Sequence, residues 1–178
     1  TLSRDHTIHI SKSGLLTITG GKWTTYRKMA EDVVDHAMVL ARLPERPCVT
    51  RQLRVHGFHR QAAQFGALAG YGADAVGLTD LIRAQPALAE PLHEALPVCG
   101  AQVVWAARHE MARTLDDVLA RRTRALYLNA RAAQTLAPAV GRLLAAELNR
   151  DTAWQERELA AFQAIAAGFT VHPLPSTT

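Results

Sequence analysis

The stretch Ile18-Thr19-Gly20-Gly21-Lys22-Trp23-Thr24-Thr25-Tyr26 decides how the first part of the chain folds. A β-rich run, Leu15–Ile18, leads into two glycines, and Thr24 or Thr25 then offers a good helix N-cap. Apolar side chains recur at helical spacing from Tyr26 to Ala41, with charged residues on the opposite side. The pattern predicts a strand, a glycine turn and an amphipathic helix that ends near Leu43-Pro44.

A second strand is predicted just upstream of this stretch. Residues 7–10 alternate polar and apolar, and Ser11-Lys12-Ser13-Gly14 supplies turn chemistry, so residues 6–19 are expected to form a hairpin. Two strands alone do not make a stable sheet in water. We therefore expect the hairpin to belong to a larger sheet, and the chain, which opens on Thr1 rather than Met, to be a fragment.

The Gly20–Thr25 turn has the chemistry of a ligand site. Glycines let a ligand approach the backbone, a helix start offers unpaired N–H groups, and Lys22 adds a full positive charge. Such a site suits a flavin carbonyl oxygen or an anionic substrate. It is not a phosphate-binding Walker loop, because Leu16 and Trp23 stand where Gly and Ser/Thr are needed. An ordinary turn with an exposed lysine is the alternative.

Arg4 is a second candidate at the same place. If the two strands pair antiparallel, the chain near Arg4 returns beside the Gly20–Lys22 turn, and two cations converge as phosphate or carboxylate recognition requires. A surface ion pair with Asp5 is the alternative for Arg4.

The remainder of the chain is predicted to be helical after a connector from Pro44 to His56. Asp80, Thr114 and Thr152 are plausible helix caps, and Pro138 is expected to break or kink a helix. The helices are expected at about 59–70, 73–84, 101–111, 115–121, 130–148 and 153–167.

A cluster of charges lies between Thr114 and Arg124. Asp117 and Arg121 are four residues apart, the spacing of an ion pair on a helix, and Arg122 and Arg124 follow. A structural ion-pair network is favoured, because the aromatic side chains that RNA-binding surfaces use for stacking are missing here.

Composition excludes several classes. The chain has 178 residues, a net charge of +4 and two cysteines, Cys48 and Cys99, without a CxxC motif. A disulfide framework and a zinc ribbon are thus excluded, and no membrane span is predicted. The small net positive charge does not by itself indicate binding to nucleic acid. The spacing of the pairs His6/His9 and His56/His59 is unfavourable for coordinating one metal ion, so no metal site is expected.

Two blocks carry a family resemblance. Residues 3–6 (SRDH) with 20–31 (GGKWTTYRKMAE), and 109–124 (HEMARTLDDVLARRTR), resemble the C-terminal part of the FAD-dependent glycerol-3-phosphate dehydrogenases. The resemblance implies a mainly α fold: residues 1–43 end the FAD/substrate domain with a hairpin, the Gly-Gly-Lys turn and a helix, and residues 44–178 form an all-helical C-terminal domain.

The resemblance also implies site residues. Arg4 would bind the substrate phosphate, Lys22 would contact substrate and flavin, and the turn formed by Gly20, Gly21, Lys22, Trp23, Thr24 and Thr25 would lie against the isoalloxazine ring. Family members oxidise sn-glycerol 3-phosphate to dihydroxyacetone phosphate and pass electrons through FAD to a quinone. The expected partners are the N-terminal FAD domain of the same enzyme and, as a candidate, a second copy in a homodimer.

The family's dinucleotide-binding glycines and candidate catalytic base belong to a portion that this sequence lacks. We therefore expect no catalytic residue here, and an isolated chain that binds neither FAD nor substrate tightly. A bacterial, cytoplasmic parent enzyme, peripherally associated with the inner membrane, is implied. The alternatives are a freestanding helical protein-interaction module without catalysis and, more remotely, a basic nucleic-acid binder.

Overall fold

A computed structural model describes residues 5–170 of the chain. The contacts within it define two compact units, one ending at Val55 and the other beginning at His56. No helix among the described residues has both the length and the apolar character that crossing a bilayer requires.

The first unit is a hairpin followed by a helix. Strand β1 (His6–Ile10) pairs antiparallel with β2 (Leu16–Gly20), with His6 opposite Gly20. A 3-10 turn over Trp23–Thr25 leads into helix α1 (Tyr26–Leu40). The predicted hairpin and amphipathic helix are confirmed. No residue between 5 and 55 is fully buried, so the described part of this unit has no core of its own.

The second unit is mainly helical. It contains α2 (Ala75–Ala84), β3 (Pro91–His93), β4 (Leu96–Cys99), α3 (Gly100–His109), α4 (Ala125–Leu128), α5 (Ala130–Leu148) and α6 (Thr152–Ala167). Two 3-10 segments (Ala62–Asp74 and Pro86–Ala89) and a π-helix (Asp117–Arg122) connect them.

The core of this unit lies where α3, α4, α5 and α6 meet. Helix α5 contributes most of one face, because its buried residues recur every three or four positions, as in Leu136, Val140 and Leu144. Phe162 of α6 packs into the same cluster and is 1% exposed. Pro138 lies inside α5, which continues as one helix of 19 residues, so the predicted break does not occur.

The mainly α class is confirmed, with a correction for the second unit. Strands β3 and β4 form an antiparallel hairpin that the expectation of an all-helical domain misses. The strands have three and four residues and carry Pro91 and Pro97, so no period of two could emerge. The helix expected at 59–70 is instead a 3-10 segment interrupted at Gly66 and Gly72, where the backbone leaves helical geometry.

The cap predictions have mixed outcomes. The Thr114 hydroxyl accepts a hydrogen bond from the Asp117 N–H at 3.1 Å, as predicted for a cap. Asp80 lies inside α2, where it binds Arg83, so the prediction that it caps a helix is wrong. The cap of α6 is Asp151 rather than Thr152, because the Asp151 carboxylate accepts the hydrogen bond from the N–H three residues on.

Candidate functional site

The turn between β2 and α1 depends on its two glycines. Gly20 and Gly21 have φ angles of +81° and +74°, a region that glycine enters without strain. The Gly21 N–H donates to the Asp5 carbonyl oxygen at 3.2 Å, which ties the turn to the strand beside it. A Cβ on Gly20 would lie 3.0 Å from that oxygen, and one on Gly21 only 2.5 Å from the Met29 sulfur. The turn thus presents bare backbone.

The Lys22 backbone is held by hydrogen bonds, whereas its side chain is exposed to solvent. Its N–H donates to the Thr25 Oγ1 at 3.2 Å, and the Thr25 hydroxyl and N–H both donate to the Lys22 carbonyl, each at 2.9 Å. The ammonium group makes no ion pair with any residue from 5 to 170. Trp23, 86% exposed, stacks on Tyr26 with ring centroids 5.5 Å apart. The helix start therefore offers an uncompensated cation beside an open aromatic surface.

Two of the carboxylates on α1, those of Glu31 and Asp32, are paired with other cations. Arg27 binds Glu31 at 2.6 Å, and this hydrogen bond holds the pKa of Glu31 below its ordinary value. Lys28 binds Asp32 at 2.7 Å and lowers its pKa, and His6 lies 3.1 Å from the same carboxylate. These pairs are satisfied within the hairpin and helix, which leaves the Lys22 charge available for a ligand.

The other predicted residues have different outcomes. Arg4 lies outside the described residues, although the antiparallel pairing is observed and brings Asp5, its neighbour, against Gly21. His6 contacts Asp32 and His56 contacts Asp74. Between residues 5 and 170 there is no group of three or more potential metal ligands.

The arginines after Thr114 separate into two sets that the sequence pattern does not distinguish. Arg121 binds Asp117 at 3.1 Å, as the four-residue spacing predicts, and it also contacts Asp116, which the spacing does not indicate. Arg122 instead donates two hydrogen bonds, at 2.9 and 2.6 Å, to the carbonyl oxygen of Glu110. Arg122 is twelve residues from Glu110, so no local spacing could have indicated this contact.

Comparisons with known proteins agree with the resemblance seen in the two blocks. A family model described as the C-terminal domain of alpha-glycerophosphate oxidase matches residues 13–155. A probable mitochondrial glycerol-3-phosphate dehydrogenase of Caenorhabditis elegans is 36% identical over 89% of this chain and 25% of its own length. The mitochondrial glycerol-3-phosphate dehydrogenase SDP6 of Arabidopsis thaliana is 35% identical over 89% of this chain and 30% of its own length.

A solved structure also matches. The glycerol-3-phosphate dehydrogenase of Bacillus halodurans, determined in complex with FAD, superposes with a TM-score of 0.69 at 26% identity, covering 97% of this chain and 39% of that one. The chain thus spans between a quarter and a third of the length of these two curated relatives. With most of its residues matched by the family model, the chain belongs to the family of the C-terminal domain of alpha-glycerophosphate oxidase, which confirms the similarity to FAD-dependent glycerol-3-phosphate dehydrogenases.

Proposed function

We propose that this chain forms the C-terminal part of an FAD-dependent glycerol-3-phosphate dehydrogenase. The whole enzyme oxidises sn-glycerol 3-phosphate to dihydroxyacetone phosphate and delivers the electrons to a quinone. The observation that carries the proposal is the Gly20–Thr25 turn, with its bare backbone and uncompensated Lys22, in a chain similar over 89% of its length to glycerol-3-phosphate dehydrogenases.

The turn fits the edge of a flavin ring. The first N–H groups of a helix have no intrahelical acceptor, and here those of Trp23 and Thr24 begin the 3-10 turn. Together with the Lys22 ammonium they suit an electron-rich carbonyl oxygen. Gly20 and Gly21 present no side chain to block a planar ring. FAD, when bound, supplies the acceptor for the hydride that leaves the substrate.

The substrate would be held by cations of the same region. We assign Lys22 to contact substrate beside the flavin and Arg4 to bind the phosphate. The support for Arg4 is the contact between its neighbour Asp5 and Gly21, which brings the chain to the turn. Charge-assisted bonds of this kind contribute about 1.5–3 kcal/mol each.

The domain organisation follows from the same proposal. Residues 1–43 complete an FAD/substrate domain, and 44–178 form the helical domain, with the connector between Pro44 and Val55 free of helix and strand. Exposed apolar side chains on the hairpin and helix, among them Ile10 and Val39, would pack on the N-terminal FAD domain of the same enzyme. The curated relatives carry mitochondrial names. For this chain we propose a bacterial enzyme, a homodimer, at the cytoplasmic face of the inner membrane.

The test is an activity measurement on the chain joined to an N-terminal FAD domain of its family. We expect glycerol-3-phosphate-dependent reduction of a water-soluble quinone by the joined polypeptide and none by either part alone. A freestanding helical interaction module would give a joined polypeptide that folds but neither retains flavin nor turns over.

A further inference from the structure

A polar cavity of about 530 Å³ lies within the second unit, and no residue of the Gly20–Thr25 turn lines it. Its walls come from the glycine-rich segment before α2, from β4, from α3 with the residue after it, and from the chain that follows the π-helix. The polar side chains that matter for its chemistry are Tyr71, Asp74, Gln102, Glu110, Arg122 and Arg124.

Two neutral groups supply hydrogen bonds in the wall. Gln102 is 7% exposed, and its Oε1 accepts the Cys99 N–H at 2.9 Å. Its Nε2, which carries two hydrogens, makes one long bond of 3.4 Å to the Tyr71 hydroxyl and no other bond within residues 5–170. Burial raises the pKa of Tyr71 to about 12, so its hydroxyl keeps its proton at neutral pH. The second Nε2 hydrogen of Gln102 and the Tyr71 hydroxyl can therefore still donate hydrogen bonds to a ligand.

Two guanidinium groups border the cavity. The Nε and Nη2 of Arg122 are bonded to the Glu110 carbonyl, which leaves Nη1 unused. The Arg124 side chain has neither an ion pair nor a hydrogen bond within the described part of the chain. Asp74 and Glu110 also line the cavity, but among residues 5–170 neither carboxylate forms an ion pair with Arg122 or Arg124. Asp74 is bound by His56 at 2.7 Å, and Arg122 binds the backbone carbonyl of Glu110 rather than its carboxylate.

Irregular backbone surrounds the same cavity. Arg124 is held at a φ of +60°, and Met111, directly after Glu110, at +55°. Arg122 is the last residue of the π-helix Asp117–Arg122. Left-handed non-glycine residues and short π-helices are uncommon and concentrate at functional sites. Here they adjoin or include the lining residues Glu110, Arg122 and Arg124.

We propose that this cavity binds a small ligand through an oxyanion, either a phosphate or a carboxylate, at Arg124 and the free Nη1 of Arg122. Guanidinium groups pair with both oxyanions, and the Tyr71 hydroxyl and Gln102 amide donate to the remainder of the ligand. This assignment does not depend on the proposed dehydrogenase function, because none of these residues belongs to the Gly20–Thr25 turn.

The test is titration calorimetry of the 178-residue chain with inorganic phosphate and, separately, with succinate at constant ionic strength. Arg124→Gln removes a side chain without an internal partner, and Gly70→Leu fills cavity space at a position where a Cβ meets nothing within 4 Å. We expect each variant to raise the Kd of the preferred anion about tenfold or more. Arg121→Gln, in the ion pair with Asp117 and outside the cavity wall, is the matched control and is expected to keep the wild-type Kd.

Every other pattern overturns the proposal. If neither anion binds to the wild-type chain, the cavity takes no oxyanion ligand. Equal losses in Arg121→Gln and Arg124→Gln would show general attraction to a basic surface. A wild-type Kd in Gly70→Leu and Arg124→Gln, both checked for native circular dichroism, would place the bound anion elsewhere.

Discussion

Replacement of Asp117 by alanine tests the account of the arginine-rich block most sharply. The Asp117 carboxylate accepts hydrogen bonds from the N–H groups of Arg113 (2.9 Å) and Thr114 (3.1 Å) and from the Arg121 side chain (3.1 Å). Alanine removes all three and leaves two backbone donors without that acceptor. A lost cap costs about 1 kcal/mol, and bonds to a charged group cost more, so we expect a loss of about 2–3 kcal/mol.

The pH dependence of this loss has a definite sign. Burial alone would raise the pKa of Asp117, but the hydrogen bonds from Arg113 and Thr114 and the charge of Arg121 hold it below its ordinary value of 3.8. The stabilisation is therefore complete well above pH 3.8 and is lost as the pH falls through the folded-state pKa. The gap between wild type and Asp117→Ala should narrow on acidification below about pH 4.

Urea unfolding followed by far-ultraviolet circular dichroism gives the free energy of unfolding of each variant. Asp116→Ala is the control, because Asp116 contacts the exposed Arg121 side chain, and a surface pair of this kind contributes up to about 1 kcal/mol. A loss below about 0.5 kcal/mol for Asp117→Ala, or an equal loss in the control, would refute the capping role.

The remaining predictions concern the turn and the core. Lys22→Ala and Arg4→Ala should each lower kcat/KM for glycerol 3-phosphate at least about tenfold in the joined enzyme; wild-type values for both would show the site assignment to be wrong. Gly21→Ala should destabilise the joined enzyme by about 1 kcal/mol or more, because the added Cβ would lie 2.5 Å from the Met29 sulfur. Thermal unfolding of Gly21→Ala and of the double variant Gly21→Ala/Met29→Ala measures this. If the clash contributes, Met29→Ala recovers part of the loss; no recovery contradicts this. Phe162→Ala, at a position 1% exposed, should cost about 3–5 kcal/mol in urea unfolding, and a cost below about 1 kcal/mol would contradict the packing described for α6.

Local chemistry made the first unit predictable. The alternation over β1 and the Ser11–Gly14 turn determine the hairpin register, because a period of two and a short loop leave few other pairings. Helix α1 begins directly after Thr25, as predicted, but the Thr25 side chain does not cap α1 and instead bonds the Lys22 backbone. This helix start and the Asp117–Arg121 pair depend on residues within four positions of each other. The roles of Lys22 and Gly20–Thr25 in ligand binding stay predictions.

The second unit shows why other features escaped prediction. At Gly72 a Cβ would lie 1.8 Å from the Gly57 carbonyl oxygen, which also accepts the Ala73 N–H at 2.9 Å. That close approach joins segments fifteen residues apart and overrides the helical spacing of the apolar residues. The bond from Arg122 to the Glu110 carbonyl is equally non-local. Spacing within one element cannot report contacts that form only when the whole unit packs.

Whether this chain supplies one part of a divided flavin site can be measured as the flavin content of the purified 178-residue chain after gel filtration with excess FAD, alone and joined to the N-terminal FAD domain. We expect no co-eluting flavin for the chain alone and about one flavin per joined polypeptide. Stoichiometric flavin on the isolated chain, or none on a folded joined polypeptide, would contradict this expectation.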